Sequence, residues 1–166
     1  MFDQLSPDTL RLVRARLRSL AYAGFGHLPL GVKLFINRRV NRTFLVGVLG
    51  VVRNHRGEVL ILRHTYRPAY PYGVPGGWLK GGESLGDALK REISEETGLD
   101  VEVRRVLRVE SYERPTRLDV WLECDLTGGE FRPSAKVSAA AFYAPDSLPE
   151  LLPEQRAFLL SLPARD

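Results

Sequence analysis

From Phe44 to Val52 the chain is almost unbroken apolar and β-branched residues, and Val59 to Leu62 repeats the pattern after Asn54-His55-Arg56-Gly57. Two such runs joined by an Asn- and Gly-containing turn predict a β-hairpin. Val101 to Tyr112 and Arg117 to Leu126 read as two further strands, and Phe142-Tyr143 as a last one. Between Ser84 and Thr97 the period becomes helical, with Ser84 in the N-cap position, Asp87 three residues on and Gly98 as the stop. Pro153 to Leu162 predicts a closing helix with its proline at the start. Ahead of Thr43 the pattern changes. Ser6-Pro7-Asp8 is a helix start with Ser6 as N-cap, Leu10, Val13, Leu17 and Leu20 recur at helical spacing, and Gly24 and Gly26 end the segment. His27 to Val40 reads as a loop and a short second helix. Strands dominate and helices fall at defined points, which predicts an α+β fold built on a mixed sheet. Residues 1–42 are expected to form an N-terminal helical extension packing on the core or on a dimer partner, and residues 43–166 the main domain.

Composition narrows the class. The 166 residues suffice for one domain with a real core, and 44% hydrophobic with 27% charged residues is ordinary for a soluble globular chain. No apolar run approaches the ~18 residues of a membrane span. Met1-Phe2-Asp3-Gln4 lacks the basic start and apolar stretch of a signal peptide, so none is expected, and the single cysteine makes a reducing, cytoplasmic setting the expectation. A single cysteine, Cys124, excludes an internal disulfide, and its place in Val120-Trp121-Leu122-Glu123-Cys124 reads as a buried strand residue rather than a nucleophile. The net charge is +4. Much of the excess precedes Thr43, in Arg11, Arg14, Arg16, Arg18, Lys33, Arg38, Arg39 and Arg42. Such a surface attracts polyanions, RNA included, or is simply a solvated helix face.

The candidate chemistry lies in Pro75 to Leu99. Pro75 to Gly82 carries glycines at 76, 77, 81 and 82 and reads as a loop that lets the main chain approach a phosphate near a helix N-terminus. The helix after it is more telling. At ~100° per residue, with Leu85 at zero, Leu89 falls near 40°, Ile93 near 80°, Glu92 near 340°, Glu96 near 20° and Glu95 near 280°. Two glutamates therefore share the leucine side, one turn apart. Carboxylates taken out of water need a positive partner. Arg91, at ~240° on the same wheel, points away from that arc. A divalent cation answers better, and Mg²⁺ or Mn²⁺ suits carboxylate and carbonyl oxygens. A Glu-rich surface helix is the other reading of these residues.

The segment resembles the signature of the Nudix hydrolase family: a Gly, five residues, Glu, seven residues, then Arg-Glu-apolar-x-Glu-Glu-x-Gly-apolar. Gly77, Glu83, Arg91, Glu92, Ile93, Glu95, Glu96, Gly98 and Leu99 fill every fixed position. The likeness extends over Thr43 to Leu162. It implies an α/β/α sandwich and metal-dependent hydrolysis of a nucleoside diphosphate linked to another moiety. It further implies that Glu92, Glu95 and Glu96 bind the metal with the carbonyl of Gly76, that Glu83 supports the site through water, and that Arg91 fixes a glutamate by a charge-assisted bond. Many relatives carry a glutamate, as a general base, where this chain has Lys136. The base is then a box glutamate or Glu130, and Lys136 is a phosphate contact or a surface residue.

Near the box, Tyr66, Arg67, Trp78, Gly77 and Lys136 are the expected substrate contacts, by stacking and by phosphate pairing. Tyr70 and Tyr72 are further aromatics in reach, and His64 reads as structural. Pro115, sixteen residues after Leu99, resembles a feature of ADP-ribose-hydrolysing relatives, which favours ADP-ribose or a nucleotide-sugar-like substrate. The alternatives are an RNA 5′-end pyrophosphohydrolase, a nucleoside triphosphate pyrophosphohydrolase and a non-catalytic nucleotide-sensing module. A small nucleotide is the expected partner, and the N-terminal helix offers a surface for a homodimer.

Overall fold

The structure, a computed structural model, describes residues 7–41 and 43–163. The expected N-cap Ser6 and the basic Arg42 lie outside the described residues. Its contacts divide the chain into two compact units, Met1–Thr43 and Phe44–Asp166.

The first unit is two helices, α1 (Pro7–Gly26) and α2 (Leu30–Val40). Pro7 opens α1 without loss, because the first N–H groups of a helix have no intrahelical acceptor. The turn between the helices is held by His27 N–H to Gly24 O, 3.2 Å, and by Lys33 Nζ to Gly26 O, 2.7 Å. Val13, Leu17 and Leu20 on α1 and Phe35 on α2 are exposed.

The second unit is built on a seven-stranded mixed sheet. The hairpin forms as its turn chemistry dictates. β1 (Leu45–Arg53) and β2 (Val59–His64) meet through a turn in which Asn54 Oδ1 accepts from Arg56 N–H and Glu58 N–H, while Gly57 takes φ 76°. β5 (Leu99–Glu113) and β6 (Thr116–Gly129) form a long antiparallel hairpin, and β6 runs parallel to β1 from Leu45↔Arg117 to Arg53↔Asp125. The Arg114–Pro115 peptide in the β5–β6 turn is cis. β7 (Val137–Tyr143) pairs antiparallel with β2, so the last strand begins well before the expected Phe142.

Two short strands follow β2, and the second of them corrects part of the loop expected from Pro75 to Gly82. β3 (Tyr72–Gly73) joins β2, and β4 (Gly76–Trp78) joins β1 with Gly77 opposite Val48. The glycines at 76 and 77 therefore serve close strand packing. A Cβ on Gly76 would run into the Val48 carbonyl oxygen, and one on Gly77 into the Glu92 carboxylate.

Each face of the sheet buries a core. Helix α3 (Leu85–Thr97) sets Ala88, Leu89 and Ile93 against Val48, Val52, Leu60, Leu62, Val120 and Leu122. On the other face α4 (Pro153–Ser161) sets Phe158 and Leu159 against Val51, Ile61, Val74 and Trp121. Strands covered on both faces read as continuous apolar runs, which is why Phe44 to Val52 shows so little alternation. The result is an α/β/α sandwich. Cys124 is fully buried among these strands, and burial pushes its thiol up to about 12. Among the described residues, no helix is long and apolar enough to cross a membrane.

Candidate active site

The site is assembled on α3, and the helix ends fix it there. Ser84 Oγ accepts from Asp87 N–H at 3.1 Å and donates to Asp87 Oδ2 at 2.7 Å, which satisfies the first turn. At the other end Gly98 takes φ 72° and its N–H reaches Ser94 O. This left-handed cap ends the helix and turns the chain into β5. Between these ends Glu92 and Glu96 share the buried face with Leu89 and Ile93, at 6% and 3% exposure. Glu95 lies at the edge of that face and is 53% exposed.

Arg91 corrects the wheel. Its guanidinium does not point away but folds back along the helix, donating to Glu92 Oε1 at 2.6 Å, Glu83 Oε1 at 2.8 Å, Glu83 Oε2 at 3.0 Å and the Trp78 carbonyl at 3.1 Å. A contact to Glu95 Oε2 at 3.5 Å completes the set. The wheel angle gives the direction of Cβ only, and an arginine reaches far enough to turn through it. The forked bond to Glu83 is the strong bidentate kind. With help from Lys80 N–H, it holds the Glu83 carboxyl down to about 2. Glu83 thus locks Arg91, and Arg91 locks Glu92 Oε1.

The second charge partner comes from across the fold. Lys136, directly before β7, places Nζ 3.2 Å from Glu96 Oε1 and 3.8 Å from Glu92 Oε2. Glu96 Oε2 is buried and has no hydrogen-bond partner. Burial raises the Glu96 carboxyl above its ordinary value, against the opposing pull of Lys136.

These groups line a pocket of about 810 Å³. Gly76, Gly77, Trp78, Glu92, Glu96, Tyr66, Arg67 and Lys136 all contribute to its wall. The Arg67 guanidinium sits 5.2 Å from the Tyr66 ring centre. Glu83 and Glu95 meet Arg91 and are not part of that wall. Glu130 is exposed and also outside it. Tyr72 packs in the second core, and Tyr70 does not line the pocket. His64 is buried under Tyr66, edge-on at 5.4 Å, and burial with the nearby Arg67 charge lowers it to about 4.

The pocket also contains residues that the sequence reading did not single out. β6 contributes Arg117, Asp119 and Trp121, and α4 contributes Glu154 and Gln155. Asp119 is 7% exposed and pairs with Arg117 Nε at 2.9 Å, and Arg117 lies 4.5 Å over the Tyr112 ring. A signal existed: Arg117 and Asp119 alternate with apolar residues in a run otherwise fit for a core strand. Asp119 sits opposite Gly47 on β1, where a side chain would strike its carboxylate.

Chemically, the arrangement offers two buried carboxylates on one wall, one carrying an orphaned oxygen, with cations and aromatics around them. Among the described residues, no three His, Cys, Asp or Glu side chains close a metal cage by themselves. Two carboxylates nevertheless fit a hard cation whose remaining positions are filled by water and substrate phosphate.

Known proteins resemble this chain in sequence and in fold. An ADP-ribose pyrophosphatase of Methanocaldococcus jannaschii is 31% identical over 112 residues, covering 64% of this chain and 65% of that protein. A NAD-capped RNA hydrolase of Vibrio atlanticus is 30% identical over 107 residues, covering 64% of this chain and 39% of that protein. The chain thus spans less than two thirds of the length of either relative. The crystal structure of an ADP-ribose pyrophosphatase from Streptococcus suis superposes with a TM-score of 0.62 at 30% identity, covering 71% of this chain and 90% of that one. That of a UDP-X diphosphatase superposes with a TM-score of 0.63 at 23% identity, covering 95% of this chain and 83% of that one. The NUDIX domain model matches residues 43–162, a span that contains both sheet faces and the whole pocket, and the chain belongs to that family.

Proposed function

We propose that the chain is a divalent-cation-dependent pyrophosphohydrolase acting on a nucleoside diphosphate linked to another moiety, with ADP-ribose or a nucleotide sugar as the favoured substrate. The observation that carries this reading is the pair of buried carboxylates, Glu92 and Glu96, in the wall of the pocket beside Gly76 and Gly77. The orphaned Glu96 Oε2 fits a bound cation, and the bare Gly77 backbone leaves the room that the Glu92 side chain occupies. The names of the M. jannaschii and S. suis proteins favour the substrate class.

Glu92 and Glu96 are the assigned cation ligands, with the Gly76 carbonyl, and Glu95 joins them at the edge. Mg²⁺ is the assigned ion and Mn²⁺ its substitute. When bound, the ion neutralises phosphate charge and makes water more acidic. The chain's own residues do the rest. Arg91, clamped by Glu83, holds the Glu92 carboxylate in one orientation. Arg67 and Lys136 supply positive charge for the diphosphate, and Tyr66 and Trp78 supply stacking faces for a base. Water attacks phosphorus, the bridging P–O bond breaks, and a carboxylate takes the water's proton. Glu130 is exposed and outside the pocket wall, which favours a box glutamate over Glu130 for that proton.

Two further assignments belong to this reading. The buried single cysteine fits a reducing, cytoplasmic setting. The exposed stripe of Val13, Leu17 and Leu20 fits a homodimer contact, which sedimentation reads directly.

The deciding experiment is a panel of ADP-ribose, nucleotide sugars, nucleoside triphosphates, dinucleoside polyphosphates, coenzyme A and capped RNA, with Mg²⁺ and with Mn²⁺ and with products identified. The expected result is AMP or another nucleoside monophosphate from a diphosphate-linked substrate. Release of no product from any member overturns the reading and returns the chain to a nucleotide sensor. A second reading, action on RNA 5′ ends, is favoured by the exposed Arg11, Arg14, Arg16, Arg18, Arg38 and Arg39 of α1 and α2. Capped RNA in the panel tests it.

A further inference from the structure

Lys136 places a positive charge directly before β7, and its surroundings give that charge a task. Its main chain is pinned. Thr65 N–H donates to Lys136 O at 2.9 Å and Thr65 Oγ1 donates to Ala135 O at 2.6 Å. Ser134 Oγ accepts from Lys136 N–H at 3.3 Å and Val137 N–H at 3.1 Å. Its side chain is the opposite: 56% exposed, against 8% and 4% for the Glu92 and Glu96 side chains that it meets. A fixed backbone thus carries a half-exposed arm onto two buried carboxylates.

Glu92 and Glu96 are one helical turn apart on a buried face, so their negative charges repel in a medium that screens poorly. Arg91 holds Glu92 Oε1 but is not a partner of Glu96. The Lys136 ammonium fills that need at Glu96 Oε1 and leans on Glu92 Oε2. Those oxygens belong to the same two groups that a divalent cation would use. An ammonium and a divalent ion repel each other, so both cannot occupy that position together.

Resting on the assignment of Glu92 and Glu96 as cation ligands, we infer that Lys136 is a tethered counter-ion that competes with the divalent cation for these carboxylates and is drawn off by the diphosphate of the substrate. A lysine ammonium is a compact phosphate-binding charge, and its arm lies in the same pocket wall as Arg67. Substrate that engages Lys136 frees the carboxylates, and cation binding tightens. By linkage, the cation tightens substrate binding by the same factor. The site then loads its metal together with its substrate rather than before it.

The test is Mn²⁺ binding to the full-length protein, read by electron paramagnetic resonance, with Mn²⁺ alone and with imidodiphosphate as an uncleaved diphosphate. In the wild type, imidodiphosphate should tighten Mn²⁺ by about tenfold or more after subtraction of free complexes. Lys136→Met and Lys136→Gln should each bind Mn²⁺ alone about tenfold more tightly than wild type and lose most of the imidodiphosphate effect. Glu96→Gln should bind Mn²⁺ weakly in both conditions. If both Lys136 variants match the wild type in both conditions while Glu96→Gln is weak, the counter-ion role is wrong and the cation assignment stands. If Glu96→Gln binds as tightly as wild type, the cation assignment fails and the inference with it.

Discussion

Glu92 and Glu96 sit in a wall of leucine and isoleucine, and each is held there by a different cation from a different part of the fold. Arg91 reaches Glu92 from the same helix, and Lys136 reaches Glu96 from the start of β7. Removing the Glu96 charge without changing its shape should therefore spare the fold and stop the chemistry. Glu96→Gln is expected to lower turnover by about 10²–10⁴-fold while keeping a cooperative thermal transition. Near-wild-type turnover would remove Glu96 from the mechanism. His64 makes a different prediction at the same scale. It is buried, neither ring nitrogen has a hydrogen-bond partner, and its value falls from 6.5 to about 4. The folded state thus holds the neutral ring while the unfolded chain takes up a proton. The stabilisation is present above pH 6.5 and is lost as pH falls toward about 4, on the order of 3 kcal/mol in all. Denaturation midpoints across that window should fall less steeply in His64→Gln than in the wild type; equal slopes would place the acid sensitivity elsewhere.

At the scale of elements, α3 was the most legible part of the chain. Its cap, its stop and the glutamates on its buried face all follow from local rules, because Ser84, Gly98 and a 3.6-residue period act within a few residues. Ser84→Ala should destabilise the protein by about 1 kcal/mol in urea titration, with turnover unchanged. What local rules missed depends on distant chain. Gly76–Trp78 looks like a glycine loop by itself and becomes β4 only because β1 offers it an edge. The Arg117–Asp119 pair enters the pocket because β6 lies beside β1. The wheel misplaced Arg91 because it carries no side-chain length, although the family resemblance had set it against a glutamate. Gly77 ties the two kinds of information together, since its lack of a side chain matters only once α3 packs over β4. Gly77→Ala should displace Glu92 and reduce turnover by about 10²-fold or more with the sheet intact; full activity would show that Glu92 has freedom to move.

For the whole molecule, the contacts put every wall residue of the pocket in the second unit, Phe44–Asp166. A chain lacking residues 1–40 is therefore expected to keep its turnover of a small diphosphate-linked nucleotide within about tenfold. If the arginines of α1 and α2 hold RNA, the same deletion should weaken RNA turnover much more. Equal effects on both substrates would rule that role out.

The parallel pairing of β1 with β6 also bears on how the molecule comes into being. Leu45 meets Arg117 and Arg53 meets Asp125, so the central strand waits for a neighbour made roughly 70 residues later. During synthesis β1 and α3 emerge as apolar segments without the surface they bury against. Contacts that span long stretches of chain form slowly, because loop closure must precede them. The partner of Glu92, Arg91, is its neighbour in the chain, while Glu96 has to wait for Lys136, forty residues on, to leave the ribosome. The pocket is thus among the last parts of the nascent chain to exist, and a truncated translation product ending before Lys136 would carry the complete signature motif and an incomplete pocket wall.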